Sequence, residues 1–295
     1  MSHGPILEQI MQWLDAVIQG ILLGGMYAQY ALGMALMFGV MRIVNIAHGD
    51  LVILLALIGI SLAGILGFGP FTLMILLIPM AAAVGWLLQR LILNRVLGDD
   101  PLPSLIATFG LSIALQNLML QIWSADTRSL PGGGIEAASV NMAGLYLGVL
   151  PLIVLLVATL LTAGIDLMLR STRFGRALRA SAADVEAAAI SGVNPRKVYA
   201  LATALSVGIL GFAAVFQSLR STVSPADGPA QLIYAFEAVI IGGMGSIWGA
   251  FLGSMVLGIS QAVGFRFDSG WGILAGHLVF LLVLATRPQG LISKR

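Results

Sequence analysis

Long, uninterrupted apolar runs are the feature that most constrains this chain. About eight of them can be delimited, at 15–39, 50–66, 71–93, 104–123, 147–169, 198–219, 232–263 and 271–286. A hydrocarbon core of about 30 Å takes roughly 20 mostly apolar residues per helix, so most runs have the length of a membrane crossing. The apolar residues are continuous rather than alternating, which favours helices over the strands of a membrane barrel. We therefore predict an all-α polytopic membrane protein.

Composition supports a membrane domain and excludes several chemistries. The chain is 59% hydrophobic and 9% charged, whereas a soluble domain carries about 25% charged residues. We expect one transmembrane domain over 1–295. The phosphate loop G-x-x-x-x-G-K-[ST] does not occur in the sequence, so we expect no nucleotide hydrolysis by this chain. It has no cysteine and no cluster with metal-ligand spacing, so we expect neither an enzyme nor a bound cofactor. A net charge of +2 gives no reason to expect nucleic acid as a partner.

The Lys and Arg residues predict an orientation. Six of the fifteen lie within 170–197, and others follow the third and the last apolar runs. Because cytoplasmic loops are enriched in Lys and Arg, we place these three regions in the cytoplasm. The basic residues concerned outside 170–197 are Arg90, Arg95, Arg287, Lys294 and Arg295. Only Arg128, Arg220 and Arg266 then remain near the external face, together with the Gly-rich loop 124–146 and the N-terminus. The first 41 residues lack Lys and Arg, so a cleaved signal peptide with a basic start is not expected.

This orientation makes the run 232–263 anomalous. The C-terminus must be cytoplasmic and the run 271–286 supplies the return crossing, so 232–263 must enter and leave by one face. Its middle contains Gly242, Gly243 and Gly245, where a helix can break. We predict seven full spans plus a re-entrant pair of half-helices. A single long tilted helix with a glycine-lined packing face is the alternative.

The basic stretch 170–197 contains signals for two short helices. A first helix is predicted over 173–182. Asp184 is placed to cap a second one, and Glu186 suits the positive first turn of that helix. Gly192 can adopt the left-handed conformation that closes a helix, and Pro195 prevents its continuation. Such a compact helix–turn–helix suits docking into a groove of a partner; alternatively, the stretch is a basic loop that only fixes topology.

Four stretches, spread over nearly the full length, carry a family resemblance. They are Gly39–Asp50 (GVMRIVNIAHGD), Gly175–Ala180 (GRALRA) with the alanines before Gly192, Gly242–Ala250 (GGMGSIWGA) and Arg287–Leu291 (RPQGL). Together they resemble the permeases of branched-chain amino-acid ABC importers, the high-affinity leucine/isoleucine/valine type.

The resemblance implies a multi-pass subunit of a bacterial inner membrane. Its expected partners are a second homologous permease subunit, two cytosolic ATPases that bind ATP and Mg, an external solute-binding protein and membrane lipid. It also assigns loop 170–197 to contact with an ATPase. The coupling residues implied are Arg173, Gly175, Arg176, Arg179, Asp184, Glu186 and Gly192.

The candidate translocation-pathway residues are few. They are Asn45, His48, Glu237, Gly243 and Gly245. Polar groups at membrane depth are costly and usually face a partner or a water-filled path. On a helix Asn45 and His48 would share a face, whereas Asp50 would point elsewhere. The alternative is that Asn45 and His48 belong only to a cytoplasmic turn anchored by Arg42.

Other polar residues within the runs are given structural roles. Interhelical hydrogen bonds are expected for Tyr27, Gln29, Gln116 and Asn117. We expect Asp166 to pair with Arg170 one turn later, and we interpret His277 as a packing residue.

A self-contained secondary transporter or channel for a small polar solute is the alternative function. Such a protein usually has intramembrane carboxylates for its coupling ion. In this chain Glu237 is the deep carboxylate without an obvious partner.

Overall fold

The computed structural model describes residues 4–98, 100–142 and 144–292 and is almost entirely helical. Lys294 and Arg295 lie outside the described residues. The helices are α1 (Gly4–Met41), α2 (His48–Leu66), α3 (Pro70–Leu88), α4 (Asn94–Val96), α5 (Leu102–Trp123), α6 (Val149–Ser171), α7 (Arg173–Ala183), α8 (Val185–Ile190), α9 (Pro195–Arg220), α10 (Gly228–Gly242), α11 (Ile247–Phe267) and α12 (Trp271–Thr286). A π-helical turn, Gln89–Leu93, joins α3 to α4.

The predicted class, an all-α polytopic membrane protein, is confirmed. Within the described ranges, seven helices are long and apolar enough to cross a membrane. They are α1, α2, α3 with its continuation to Val96, α5, α6, α9 and α11. Two shorter apolar helices, α10 and α12, complete the bundle.

The helices α1, α9 and α11 form the centre of the bundle. The apolar windows of α1 and α9 are 83% and 72% buried, whereas that of α5 is only 17% buried. The backbones of α1 and α11 touch, since a Cβ placed on Gly20 would lie 2.5 Å from the Cα of Ile259. Small residues permit this close approach, which membrane helices use for association. The α5 helix lies at the periphery.

Residues 124–146 contain a feature that was not predicted. Two short strands, β1 (Ser139–Met142) and β2 (Leu145–Gly148), pair antiparallel in what the sequence indicated only as a loop. The Asn141 side chain accepts a hydrogen bond from the Gly144 N–H at the turn between them. A side chain that bonds to the nearby backbone stabilises such tight turns.

The three basic regions meet at one end of the bundle, which we call the basic end. Arg90 and Arg95 share a cavity with Arg196 and Lys197. The chain after Arg287 pairs with the end of α10 at this same end. The opposite end holds the start of α1, where Gln12 accepts a hydrogen bond from Arg266. The structure thus segregates the basic regions as the sequence predicted.

The run 232–263 is broken, so the long tilted helix is excluded. The helices α10 and α11 form a hairpin whose connection, 243–246, lies at the basic end beside Gly39 of α1. From there α11 runs back along α1, and Phe267 packs on Trp13 at the opposite end. The hairpin therefore returns to one end, as expected. Only α10 is a half-helix, however, because α11 has spanning length.

Candidate coupling surface and buried polar clusters

The basic stretch folds into a rigid arm made of α7 and α8. The Thr172 hydroxyl accepts the Gly175 N–H at 3.0 Å and starts α7, and the Asp184 carboxylate accepts the Ala187 N–H at 2.9 Å and starts α8. Gly192 closes the arm at a φ of +84°. The predicted helix–turn–helix is confirmed, and its first helix, Arg173–Ala183, ends one residue later than expected.

Packing at Gly175 fixes the arm to α6. A Cβ at this position would lie 2.5 Å from the Met168 carbonyl oxygen and closer still to that of Leu169. Only glycine therefore lets α7 rest directly on the last turn of α6. Leu178 and Ser181 bury the same face of α7. Displacing the arm must consequently move the end of α6 with it.

Apolar side chains on the outside of the arm were missed by sequence reasoning. The side chain of Ile190 is 89% exposed and that of Val185 is 45% exposed, at the two ends of α8. A groove of about 540 Å³ runs from Val185 and Ala189 to Tyr199 of α9. Arg173, Arg176, Arg179 and Glu186 are exposed on the same arm. Exposed apolar residues ringed by charge are typical of a protein contact surface. The signal was available as Val and Ile flanking the alanines 187–189.

The glycine-rich connection of the hairpin lies next to the arm. A cavity of about 430 Å³ separates Arg179 of α7 from Gly245, Ser246 and Trp248. Gly243 and Gly245 have φ of +109° and +80°, which glycine adopts without steric cost. The structure therefore places Gly245 beside the arm and Gly243 beside the C-terminal tail, and neither glycine next to the polar residues of the interior.

The C-terminal tail closes on the same connection. The N–H of Leu291 donates to the Ile241 carbonyl at 2.8 Å, and that of Ile292 to the Gly242 carbonyl at 3.0 Å. A Cβ on Gly243 would lie 2.6 Å from the carbonyl oxygen of Ile292. The tail thus covers the end of α10 as closely as glycine permits.

Asn45 and His48 form a buried turn. The side-chain oxygen of Asn45 accepts a hydrogen bond from the Ala47 N–H, and its backbone carbonyl accepts one from the His48 N–H. The helix α2 begins only at His48, so Asn45 and His48 do not share a helical face. A ring nitrogen of His48, Nε2, donates to the Tyr30 carbonyl at 2.9 Å. This places the turn beside Tyr30, in the second half of α1. Asn45 Nδ2 and His48 Nδ1 are buried and find no hydrogen-bond partner among the described residues.

Asp50 joins three helices. Its carboxylate accepts hydrogen bonds from the Ser112 hydroxyl at 2.5 Å and from the Gln116 amide at 3.0 Å, both on α5. A Cβ on Gly228 would lie 3.0 Å from the Asp50 Cα, so α10 begins directly against this residue. The N-termini of α2 and α10 both favour negative charge there. As expected, Asp50 points away from His48.

Glu237 and His277 form a pair, which corrects two interpretations. The sequence indicates no obvious partner for Glu237 and a packing role for His277, yet Oε1 of the carboxyl is hydrogen-bonded to Nδ1 of the imidazole. The pairing was missed because the two residues are 40 positions apart on different helices. Nearby, the Tyr27 hydroxyl donates to Gln261 at 2.6 Å, and its ring stacks on Tyr234.

Most of the other expected contacts are present. Tyr27, Gln29 and Gln116 make hydrogen bonds between helices, as expected. Asn117 instead donates to the Ile113 carbonyl of its own helix. Arg170 pairs with Asp166 at 2.9 Å.

The chain has relatives over its full length. A sequence profile described as the permease component of the branched-chain amino acid transport system matches residues 16–286. The chain belongs to this permease family. BraD of Pseudomonas aeruginosa, a high-affinity branched-chain amino acid transport system permease protein, is 28% identical over 98% of both chains. LivH of Salmonella typhimurium, of the same description, is 27% identical over 97% of both chains.

Two other similarities are more distant. LivM of Escherichia coli K12, also a branched-chain amino acid permease protein, is 31% identical over 48% of this chain and 33% of its own length. Among solved structures, PsaBC of Streptococcus pneumoniae in complex with Fab matches with a TM-score of 0.48 and 16% identity, over 95% of this permease and 97% of that chain.

Proposed function

We propose that this permease is the membrane-spanning subunit of an ATP-driven importer of branched-chain or related small amino acids. The rigid, capped arm with exposed apolar residues on α8 carries the proposal, since it provides a surface for a partner outside the bundle. The full-length relatives named for branched-chain amino acid transport support the substrate class. The partners we propose are a second, homologous permease subunit, two cytosolic ATPases that bind ATP and Mg, and an external binding protein.

The basic end faces the cytoplasm in this proposal. The enrichment of cytoplasmic loops in Lys and Arg supports it, because the arm, Arg90, Arg95 and Arg287 all lie at this end. The start of α1 and the hairpin of β1 and β2 are then external. The compartment would be the bacterial inner membrane.

The arm would transmit work to the hairpin of α10 and α11. An ATPase that displaces α7 pushes on the end of α6 through Gly175 and narrows or widens the cavity that α7 shares with Gly245. Because Gly243 and Gly245 already have positive φ, the connection can bend where other residues would be strained. The coupling set remains Arg173, Gly175, Arg176, Arg179, Asp184, Glu186 and Gly192, to which we add Val185 and Ile190.

Movement of the hairpin would change the solute pathway at the buried polar residues. Asn45 and His48 would control it from the turn before α2, where His48 bonds to the central helix α1, and Glu237 would control it from α10, where it bonds to His277 of α12. Gly243 and Gly245 would act on the pathway as its flexible joint. Tight substrate binding by this chain is unnecessary when an external protein delivers the solute.

Reconstituted transport tests the proposal. The permease, its partner subunit and ATPases in liposomes, with binding protein added outside, should accumulate radiolabelled leucine only with internal ATP. An ATPase variant unable to hydrolyse ATP is the control. Uptake that persists without ATP and collapses with an ionophore would instead establish the secondary transporter.

Introduced cysteines test the orientation, because the chain has none of its own. A Ser191→Cys variant should react with a membrane-impermeant maleimide only after cells are opened. Labelling of intact cells at Ser191 would reverse the topology and remove the arm from contact with cytosolic ATPases.

A further inference from the structure

A second cavity at the basic end has an unusual concentration of cations. It measures about 590 Å³, lies between α3–α4 and α9, and is lined by Arg90, Arg95, Arg196 and Lys197. All four residues are exposed, and in the described part of the chain none of them forms a salt bridge. Four cations around one cavity create a positive potential that favours the binding of an anion. The coupling residues named above do not line this cavity, although Arg196 also lines the groove beside α8.

Exposed leucines adjoin the cations on both helices. Leu87 of α3 is 46% exposed, and Leu201 of α9 is 51% exposed and lines the cavity. Leu87 lies further from the basic end than Arg90, and Leu201 lies further from it than Lys197, on two helices that are candidate spans. The cavity therefore sits where lipid tails give way to headgroups.

Trp86 marks the same boundary. The Arg90 guanidinium lies over its ring, 4.9 Å from the centroid, and the ring itself lines the cavity. Tryptophan is enriched where headgroups meet the hydrocarbon core. The contact holds Arg90 at the cavity.

We propose that this cavity binds the headgroup of an anionic phospholipid of the basic-end leaflet. The phosphodiester lies among the guanidinium groups of Arg90, Arg95 and Arg196, which form paired hydrogen bonds to phosphate oxygens, with Lys197 adding a point charge. The acyl chains lie along Leu87 and Leu201. Basic pockets between membrane helices are suited to such headgroups. The apolar strip selects a lipid over a soluble phosphate.

Native mass spectrometry of the full chain in neutral detergent tests the proposal, with phosphatidylglycerol, phosphatidylcholine and inorganic phosphate as probes. Phosphatidylglycerol should bind at least tenfold more tightly than phosphatidylcholine. The Arg90→Gln, Arg95→Gln, Arg196→Gln triple variant should lose at least tenfold of that affinity, since each cation near an anionic lipid contributes about 1 kcal/mol. Arg173→Gln, Arg176→Gln, Arg179→Gln is the matched control, which removes the same charge from the arm and should bind within about twofold of the parent.

Three results would overturn the proposal. Unchanged affinity in the cavity variant would remove the site, and equal loss in both variants would reduce the effect to general attraction. Displacement of the lipid by inorganic phosphate at comparable concentration would make the site one for a soluble anion. Arg196→Gln alone, an exposed change in the first turn of α9, guards against misfolding of the triple variant and should weaken binding by about fivefold.

Discussion

The Ser112 hydroxyl of α5 donates a 2.5 Å hydrogen bond to the buried carboxylate of Asp50 in the first turn of α2. The α5 helix is otherwise poorly buried, so this bond and the one from Gln116 connect it to the centre of the bundle. Removing one hydrogen-bond partner of a buried polar group costs about 1–3 kcal/mol. We therefore expect Ser112→Ala to lower the thermal midpoint by several degrees and to reduce uptake.

Ser218→Ala is the matched control for this change. Ser218 is equally buried, but its hydroxyl bonds only to the Ala214 carbonyl of its own helix. Its thermal midpoint in detergent should remain close to that of the parent. Equal midpoints for the Ser112 and Ser218 variants would show that α5 is held by other contacts.

Ile190 provides a test of the arm. Because its side chain is 89% exposed, Ile190→Asp should leave folding unchanged but weaken association with the ATPase at least tenfold, as burying an unpaired carboxylate in an apolar contact is costly. Co-purification with a tagged ATPase measures this directly. Ile190→Leu retains the apolar surface and should bind normally. If the Asp variant co-purifies like the parent, α8 is not the contact.

Two properties of position 243 require glycine: its positive φ and the lack of space for a Cβ. An alanine there would adopt a φ of +109° and place its Cβ 2.6 Å from the Ile292 carbonyl oxygen. We expect Gly243→Ala to reduce uptake strongly and to destabilise the protein by more than about 1 kcal/mol. Gly164→Ala, on a helix with open space around the new methyl group, is the control and should transport normally. Full transport by both variants would exclude a role for the joint.

The features that could be predicted from the sequence are those that depend on residues close together along the chain. The caps of the arm depend on side chains within a few residues, such as Asp184 and its acceptance of the Ala187 N–H, so their positions could be predicted. The pairs Asp50–Ser112 and Glu237–His277 join positions 62 and 40 residues apart. Such pairs depend on which helices become neighbours, and polar residues alone do not specify that. The hairpin's break was evident from its glycines, whereas its place beside the arm was not.

The buried turn before α2 makes a separate prediction for uptake. At normal expression, Asn45→Ala and His48→Ala should both reduce transport, because they release the Ala47 N–H and the Tyr30 carbonyl from their partners in the turn. Thermal midpoints measured on the same preparations separate a transport defect from unfolding. Unchanged uptake in both variants would remove these residues from the pathway.

The pair of Glu237 and His277 distinguishes the two transport mechanisms. Glu237→Gln retains a hydrogen-bonding group of the same size, so ATP-driven uptake should persist, whereas a secondary transporter that needs this carboxylate for its ion would lose activity.

His277→Ala removes the partner of a buried carboxyl and should be the more damaging change. Adding Glu237→Gln to His277→Ala should then recover part of the lost stability, since the carboxyl no longer has to be accommodated. Thermal midpoints of all four proteins complete the double-mutant cycle. Additive losses would show that the two side chains do not interact, and loss of uptake in the folded Glu237→Gln variant would favour the secondary transporter.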